Sequence, residues 1–351
     1  MRLLHELLQV AVGRRETLSE TPGAQEWTQA YEQSKRHGLQ AVLWDVVCKL
    51  PKRQKEALFK DVAAEWEQRA QTVGILSDVH LGRSRELALW LDSKGVDACV
   101  LKGMDYARYY PSGTLRLSGD IDVWIPHRRA DVLRMFSGFF TYDILWQECK
   151  VKFWPNESAD VHFWPTKMYH PGFRLRLGRL CAAEERPFEM CADGFRTPSL
   201  RFSAVFCLLH MFRHAIDGGV GLRQFMDCCC ILDACGEQER AFAAKWLGSL
   251  GVKRFASDAM WVLGEVFGLE REKMLFGPSA AGGRKLLSEV MTGGNFGRWG
   301  RDSRDDVPTR LGKAFMRTMN TLGFALRYPR EALWAPAYKI WHYCWRVVHG
   351  Y

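Results

Sequence analysis

Apolar residues recur at helical spacing through the first part of the chain. Leu3, Leu4, Leu7, Leu8 and Val10 mark one amphipathic face. Residues 26–37 form a second helical pattern ended by Gly38, and residues 39–50 a third ended by Pro51. A longer pattern follows through Leu58, Val62, Trp66, Val73 and Leu76, and Leu87, Leu89, Trp90 and Leu91 carry it on. The pattern then changes. Residues 98–101 are a short apolar run that reads as a buried strand; it ends at Lys102-Gly103, and residues 104–109 read as a helix. Ile121, Val123 and Ile125 alternate with Asp120, Asp122 and Trp124, the period of a strand with one apolar face. Residues 149–154 and 160–164 are two more strand-like runs, and Pro155-Asn156-Glu157-Ser158 between them predicts a hairpin.

Residues 167–193, with Arg174, Arg176 and Arg179, read as an irregular solvated segment. Helical patterns resume at Pro198, with Phe202, Val205, Phe206, Leu209 and Phe212 on a buried face and a further helix from Gly221. The last hundred or so residues are helical, with breaks predicted at Gly282-Gly283 and Gly293-Gly294 and an exposed, mixed-charge loop over 298–310. These patterns predict an α+β chain with a small mixed β-sheet between two helical regions. The expected boundaries are 1–94 (helical), 95–190 (α/β core) and 191–351 (helical).

Charge and cysteine content narrow the setting. The net charge is +9, from 49 basic and 40 acidic residues, which suits a phosphate-rich ligand. No apolar stretch reaches membrane-spanning length, and the N-terminal apolar run is broken by His5, Glu6 and Gln9, unlike a signal peptide. The eleven cysteines contain no C-x-x-C pair, and Cys228-Cys229-Cys230 read as core residues in a reducing cytoplasm. The aromatic end, with Trp334, Tyr338, Trp341, Tyr343 and Trp345, is expected to pack on the rest of the protein, not to lie on a membrane.

The candidate chemistry lies between residues 102 and 160. Asp120 and Asp122 share one strand face roughly 6.5–7 Å apart, a placement that suits a hard cation such as Mg²⁺ or Mn²⁺ held by oxygen. The strand–Gly turn–helix at Lys102-Gly103 would present backbone N–H groups to a phosphate, with Lys102 adding charge. Arg116 and Ser118 precede the acids and are placed to touch the same phosphates. If the 160–164 strand pairs beside 120–125, Asp160 faces the same ions as a third carboxylate, with His162 on its face. His210 and His214 share a helix face; without a third ligand for zinc they read as having a hydrogen-bonded role at a cleft wall. Arg223 and Asp227 are spaced for an intrahelical ion pair; the alternative has Arg223 facing the cleft as a phosphate or base contact.

The motif LKG, then LRLSGDIDVWI, then a strand carrying DVHFW, resembles the nucleotidyltransferase superfamily whose fold is shared with DNA polymerase beta. Within it the match is to a little-characterised bacterial family. The resemblance covers residues 95–165, with a weaker likeness at 221–227. It implies a catalytic core in which Asp120 and Asp122 bind two Mg²⁺ or Mn²⁺ ions and Asp160 serves the catalytic one. An NTP would donate its nucleoside monophosphate, releasing pyrophosphate. Lys102, Gly103, Arg116, Ser118 and Arg223 would hold the nucleotide. Lys102-Gly103 stands where many members carry Gly-Ser or Gly-Gly, so the serine that would hold the triphosphate is absent. The acceptor is left open among a small molecule, a peptide or protein, and a nucleic acid. An RNA-end transferase and a nucleotide-binding regulator without turnover are the alternatives.

Overall fold

The alternation in 121–125 is a strand, and it organises the sheet. The computed structural model describes residues 1–112, 115–184, 186, 188–295, 312, 319 and 321–351. Among these, β1 (Cys99–Leu101), β2 (Ile121–Trp124), β3 (Thr141–Tyr142), β4 (Glu148–Trp154) and β5 (Glu157–His162) form one sheet in the order β1-β2-β5-β4-β3. β2 and β5 are parallel; the other pairs are antiparallel. The register aligns Asp122 with Asp160, Asp160 with Lys150, and Lys150 with Tyr142. One row of polar side chains therefore crosses the sheet. Each step along it is about 4.8 Å, the spacing of paired strands.

The opposite face of the sheet is apolar. Ile121, Val123, Ile125, Ala159, Val161, Cys149 and Val151 pack there with Leu87, Leu91, Val132 and Phe136. A fully buried side chain of Leu or Phe size contributes about 1.5–3 kcal/mol, so this layer fixes which face the carboxylates take. A one-residue slip would exchange the two faces.

The N-terminal helices are α1 (Arg2–Ala11), α2 (Ala24–His37), α3 (Gln40–Lys49) and α4 (Lys60–Ser93). Gly38 ends α2 in the left-handed conformation, φ 68°. α4 is one continuous helix of 34 residues, about 50 Å long. Leu58 lies before it, and Leu76 on it is exposed, so the apolar periodicity there overstated the buried face. The helix after β1, α5 (Gly103–Ala107), is shorter than expected. α6 (Arg129–Met135) covers the apolar face of the sheet through Val132.

The expected irregular segment contains α7 (Pro171–Ala182). Pro171 opens it, the His170 ring accepts from the Gly172 and Phe173 N–H groups, and Phe173, Leu177 and Leu180 form its buried stripe. Its arginines are not a solvated loop: Arg174 lies against the rings of Trp146 and Trp341, and Arg176 donates to Ser249 O. A small hairpin follows, β6 (Glu189–Met190) with β7 (Arg196–Thr197).

The C-terminal helices are α8 (Leu200–Asp217), α9 (Leu222–Ala234), α10 (Glu237–Ser249), α11 (Lys253–Phe267), α12 (Ala280–Gly293), α13 (Pro329–Ala332) and α14 (Ala335–His349). Gly282-Gly283 does not break a helix. Both lie in the first turn of α12, where a Cβ would run into Asp258 and Trp261, so the two glycines allow α12 to approach α11 closely. Gly294 does end α12, at φ 59°. One apolar cluster runs from Leu3 and Leu7 in α1 through α8, α9 and α11 to Tyr338 in α14, so the two helical regions share a core. Tyr338 packs on Tyr169, and His342 accepts from the Trp146 N–H at 3.2 Å, which docks α14 on the protein. No helix of the described residues is long and apolar enough to cross a membrane. The loop expected over 298–310 lies outside the described residues.

Candidate functional site

Eight residues expected at a site come from four stretches of sequence and line one cavity of about 310 Å³. Lys102 and Gly103 enter from the β1–α5 turn. Arg116, Ser118, Asp120 and Asp122 come from the approach to β2. Asp160 comes from β5 and Arg223 from α9. α8 supplies the facing wall through His210, Arg213, His214 and Asp217.

Asp122 is the most constrained of the acids. Lys102 Nζ lies 2.6 Å from its Oδ1, and His162 Nε2 lies 2.8 Å from the same oxygen. Burial opposes its charge, but Lys102 and then His162 hold its carboxyl well below the usual carboxylate range. Lys102 in turn is disfavoured by burial, yet the charge of Asp122 raises its pKa above that of an ordinary lysine. The other nitrogen of His162 faces Glu148 Oε2 at 3.2 Å, so the ring stands between two carboxylates. Asp160 differs. Burial and the neighbouring Asp122 push its pKa up, while Lys150 Nζ at 2.7 Å pulls it down. Asp120, one residue before β2, is exposed.

Lys102, expected to add charge for a phosphate at the helix N-terminus, instead turns toward the carboxylate of β2. Among the described residues it is one of two non-glycine residues with positive φ (53°), and in that conformation its ammonium reaches Asp122. Gly103 is explained by Ser118. A Cβ at 103 would sit 2.5 Å from the Ser118 hydroxyl oxygen, so only glycine lets that side chain in. The Ser118 hydroxyl donates to the Asp120 carbonyl at 3.3 Å, tying the turn to the acids.

Arg116 and Arg223 depart from their simplest readings. Asp227 does not form its ion pair with Arg223. It receives Arg116 Nε and Nη2 at 2.7 and 2.8 Å and the Tyr110 hydroxyl at 2.7 Å. Arg116, expected on the phosphates, thus braces the cavity wall. Arg223 Nη1 donates to Leu117 O at 2.7 Å; burial, then Arg116, bring its pKa down to about 10, which leaves it cationic at neutral pH. His210 and His214 meet through their Nε2 atoms at 2.8 Å. Burial lowers both, that of His214 to about 4, so both rings are neutral and one donates to the other. Glu148 and Lys150 were missed as site residues. The signal for Lys150 is the alternation of the CKVKFW strand, which puts it on the polar face opposite Asp160.

The three aspartates supply an all-oxygen donor set of the kind that Mg²⁺ and Mn²⁺ take, and Asp122 and Asp160 are cross-strand neighbours. Among the described residues, no three His, Cys, Asp or Glu side chains are gathered closely enough to hold a metal ion. Two ammonium groups stand on two of the carboxylates instead, together the charge of one divalent cation. The donor set therefore fits the ion in chemistry, and it closes only when Lys102 and Lys150 move aside.

A family model described as "Uncharacterised nucleotidyltransferase" matches residues 23–268, more than half of the chain. No curated protein matches it.

Proposed function

Since the chain belongs to this uncharacterised nucleotidyltransferase family and is a nucleotidyltransferase, we propose that the cavity around Lys102, Asp120, Asp122 and Asp160 is its active site. There a nucleoside monophosphate passes from an NTP to an acceptor oxygen, and pyrophosphate leaves. The observation that carries this reading is the convergence of residues from four separate stretches on one cavity.

Asp120, Asp122 and Asp160 would hold the divalent cations. When bound, Mg²⁺ or Mn²⁺ would neutralise the triphosphate and lower the pKa of the acceptor oxygen. The chain's own residues do the positioning. His162, held between Glu148 and Asp122, keeps the Asp122 carboxylate facing the cavity. Lys102, once released from Asp122, would offer a phosphate its ammonium, as a point charge and not a planar fork. Arg223 keeps its charge at neutral pH and supplies a second cation. Ser118 and Gly103 hold the turn against the acids, and Arg116 with Asp227 keeps the wall in shape.

Purified protein with Mg²⁺ and each of the four NTPs labelled at the α-phosphate tests this. Label should move onto one class of acceptor among small-molecule pools, RNA and protein. If no NTP binds with Mg²⁺ present, the reading is wrong.

A further inference from the structure

The carboxylates border a second cleft. It has a volume of about 620 Å³, shares Gly119, Asp120 and Asp160 with the first cavity, and extends to the β3–β4 edge of the sheet. The polar row across the sheet leads into it. Asp160 is followed by Lys150 and then Tyr142, so Tyr142 stands two strand spacings, about 10 Å, from Asp160.

The lining of this cleft is unusual for a solvent-facing edge. Phe140 is 69% exposed, and its ring stacks on Tyr142 with centroids 5.6 Å apart. Lys152 N–H donates to Phe140 O, which sets the lysine beside that ring. The Lys152 side chain is exposed and has no ion-pair partner among the described residues. The Tyr142 and Ser158 hydroxyls are bonded at 2.8 Å. Apart from the shared aspartates, the only acid among the described residues lining the cleft is Glu157; Arg83 neutralises it, and the His80 ring, whose pKa burial lowers, lies 2.8 Å from its carboxylate. The cleft thus offers an aromatic platform and an uncompensated positive charge, next to the acids but away from Lys102.

On the active-site assignment above, we propose that this cleft binds the acceptor, and that the acceptor is a phosphomonoester carried on a ring. The ring lies on Phe140 and Tyr142, and the phosphate lies between Lys152, Lys150 and the carboxylates. The two lysines in the lining, Lys150 and Lys152, suit a phosphate dianion. A phosphate dianion needs no base. One of its oxygens attacks the α-phosphorus of the NTP, and a new P–O–P bridge forms. The bond from the α-phosphorus to its bridging oxygen breaks, and pyrophosphate leaves with that electron pair. A hydroxyl acceptor would also have to lose a proton.

Ligand-observed NMR on the full chain tests this with 4-nitrophenyl phosphate, 4-nitrophenol and inorganic phosphate, with and without the NTP that binds best. 4-Nitrophenyl phosphate should bind more tightly than either fragment and should join the NTP in a ternary complex. Lys152→Glu and Phe140→Ala should each weaken it by about tenfold, the scale of one lost charged or aromatic contact. NTP affinity should stay within about twofold in both. The proposal is overturned if 4-nitrophenyl phosphate fails to bind, displaces the NTP, binds no better than phosphate, or binds both variants as well as the parent. If the parent binds no NTP, the active-site assignment itself has failed, whatever the phosphate probe does.

Discussion

Replacing Lys102 by methionine should make the empty protein bind Mn²⁺ more tightly, the reverse of the usual effect of damaging an active site. In the structure the Lys102 ammonium stands 2.6 Å from Asp122 Oδ1, and both side chains are largely buried. A cation that needs Asp122 must first displace it. A hydrogen bond between charged groups is worth about 1.5–3 kcal/mol, so its removal should raise Mn²⁺ affinity by roughly 10- to 100-fold. Lys150→Met should do less, because the Lys150 side chain is 36% exposed and such pairs contribute about 1 kcal/mol or less. Lys102→Arg keeps the charge and should leave Mn²⁺ binding weak. Free Mn²⁺ can be followed by its EPR signal at neutral pH without nucleotide. The Met variant should also melt lower than the parent, since Asp122 keeps only His162, and Mn²⁺ should restore the loss. If the Met variant binds Mn²⁺ no more tightly than the parent, Lys102 is not standing in the cation's place.

Three further outcomes follow from the packing around the cavity. Arg116→Met leaves the Asp227 carboxylate buried without its bidentate partner and should cost about 3–5 kcal/mol in urea unfolding; a loss under about 1 kcal/mol would mean the pair is solvated. Gly103→Ala should cost about 1–3 kcal/mol by pressing on Ser118, and adding Ser118→Gly should recover most of it; no recovery would place the strain elsewhere. His37 is held neutral, its pKa lowered to about 4 mainly by burial, with Nδ1 accepting from Leu222 N–H. Its folded pKa lies below the unfolded value, so the unfolded chain binds the extra proton first. Stability should therefore fall between about pH 6.5 and 4 by on the order of 3 kcal/mol; His37→Asn should flatten that slope, and an unchanged slope would assign it to another group.

Much of the site was legible because a strand's period of two separates its faces. Ile121, Val123 and Ile125 declared the buried side, which left Asp122 on the other, and the PNES turn supplied the hairpin that carries Asp160. The partners of these residues were not legible. Whether Lys102 meets solvent, phosphate or Asp122 depends on a positive φ that no residue pattern announces at a lysine. Arg223 and Asp227 have the spacing of an ion pair, but Arg116 reaches Asp227 from another element with a planar fork. α7 was hidden because its apolar positions are separated by arginines that read as solvated, when Arg174 in fact packs between two tryptophans. Gly282-Gly283 looked like a break because close helix approach and helix termination both call for glycine.

The most direct test of the central claim compares parent and Asp122→Asn on NTP labelled at the α- or the γ-phosphate, with Mg²⁺ and a pool of phosphomonoesters. In the parent, α-label should pass to the acceptor while γ-label leaves as pyrophosphate. In Asp122→Asn both should stop, although the variant still unfolds cooperatively. Undiminished transfer by Asp122→Asn, or γ-label on the acceptor, would contradict a nucleotidyl transfer centred on these carboxylates.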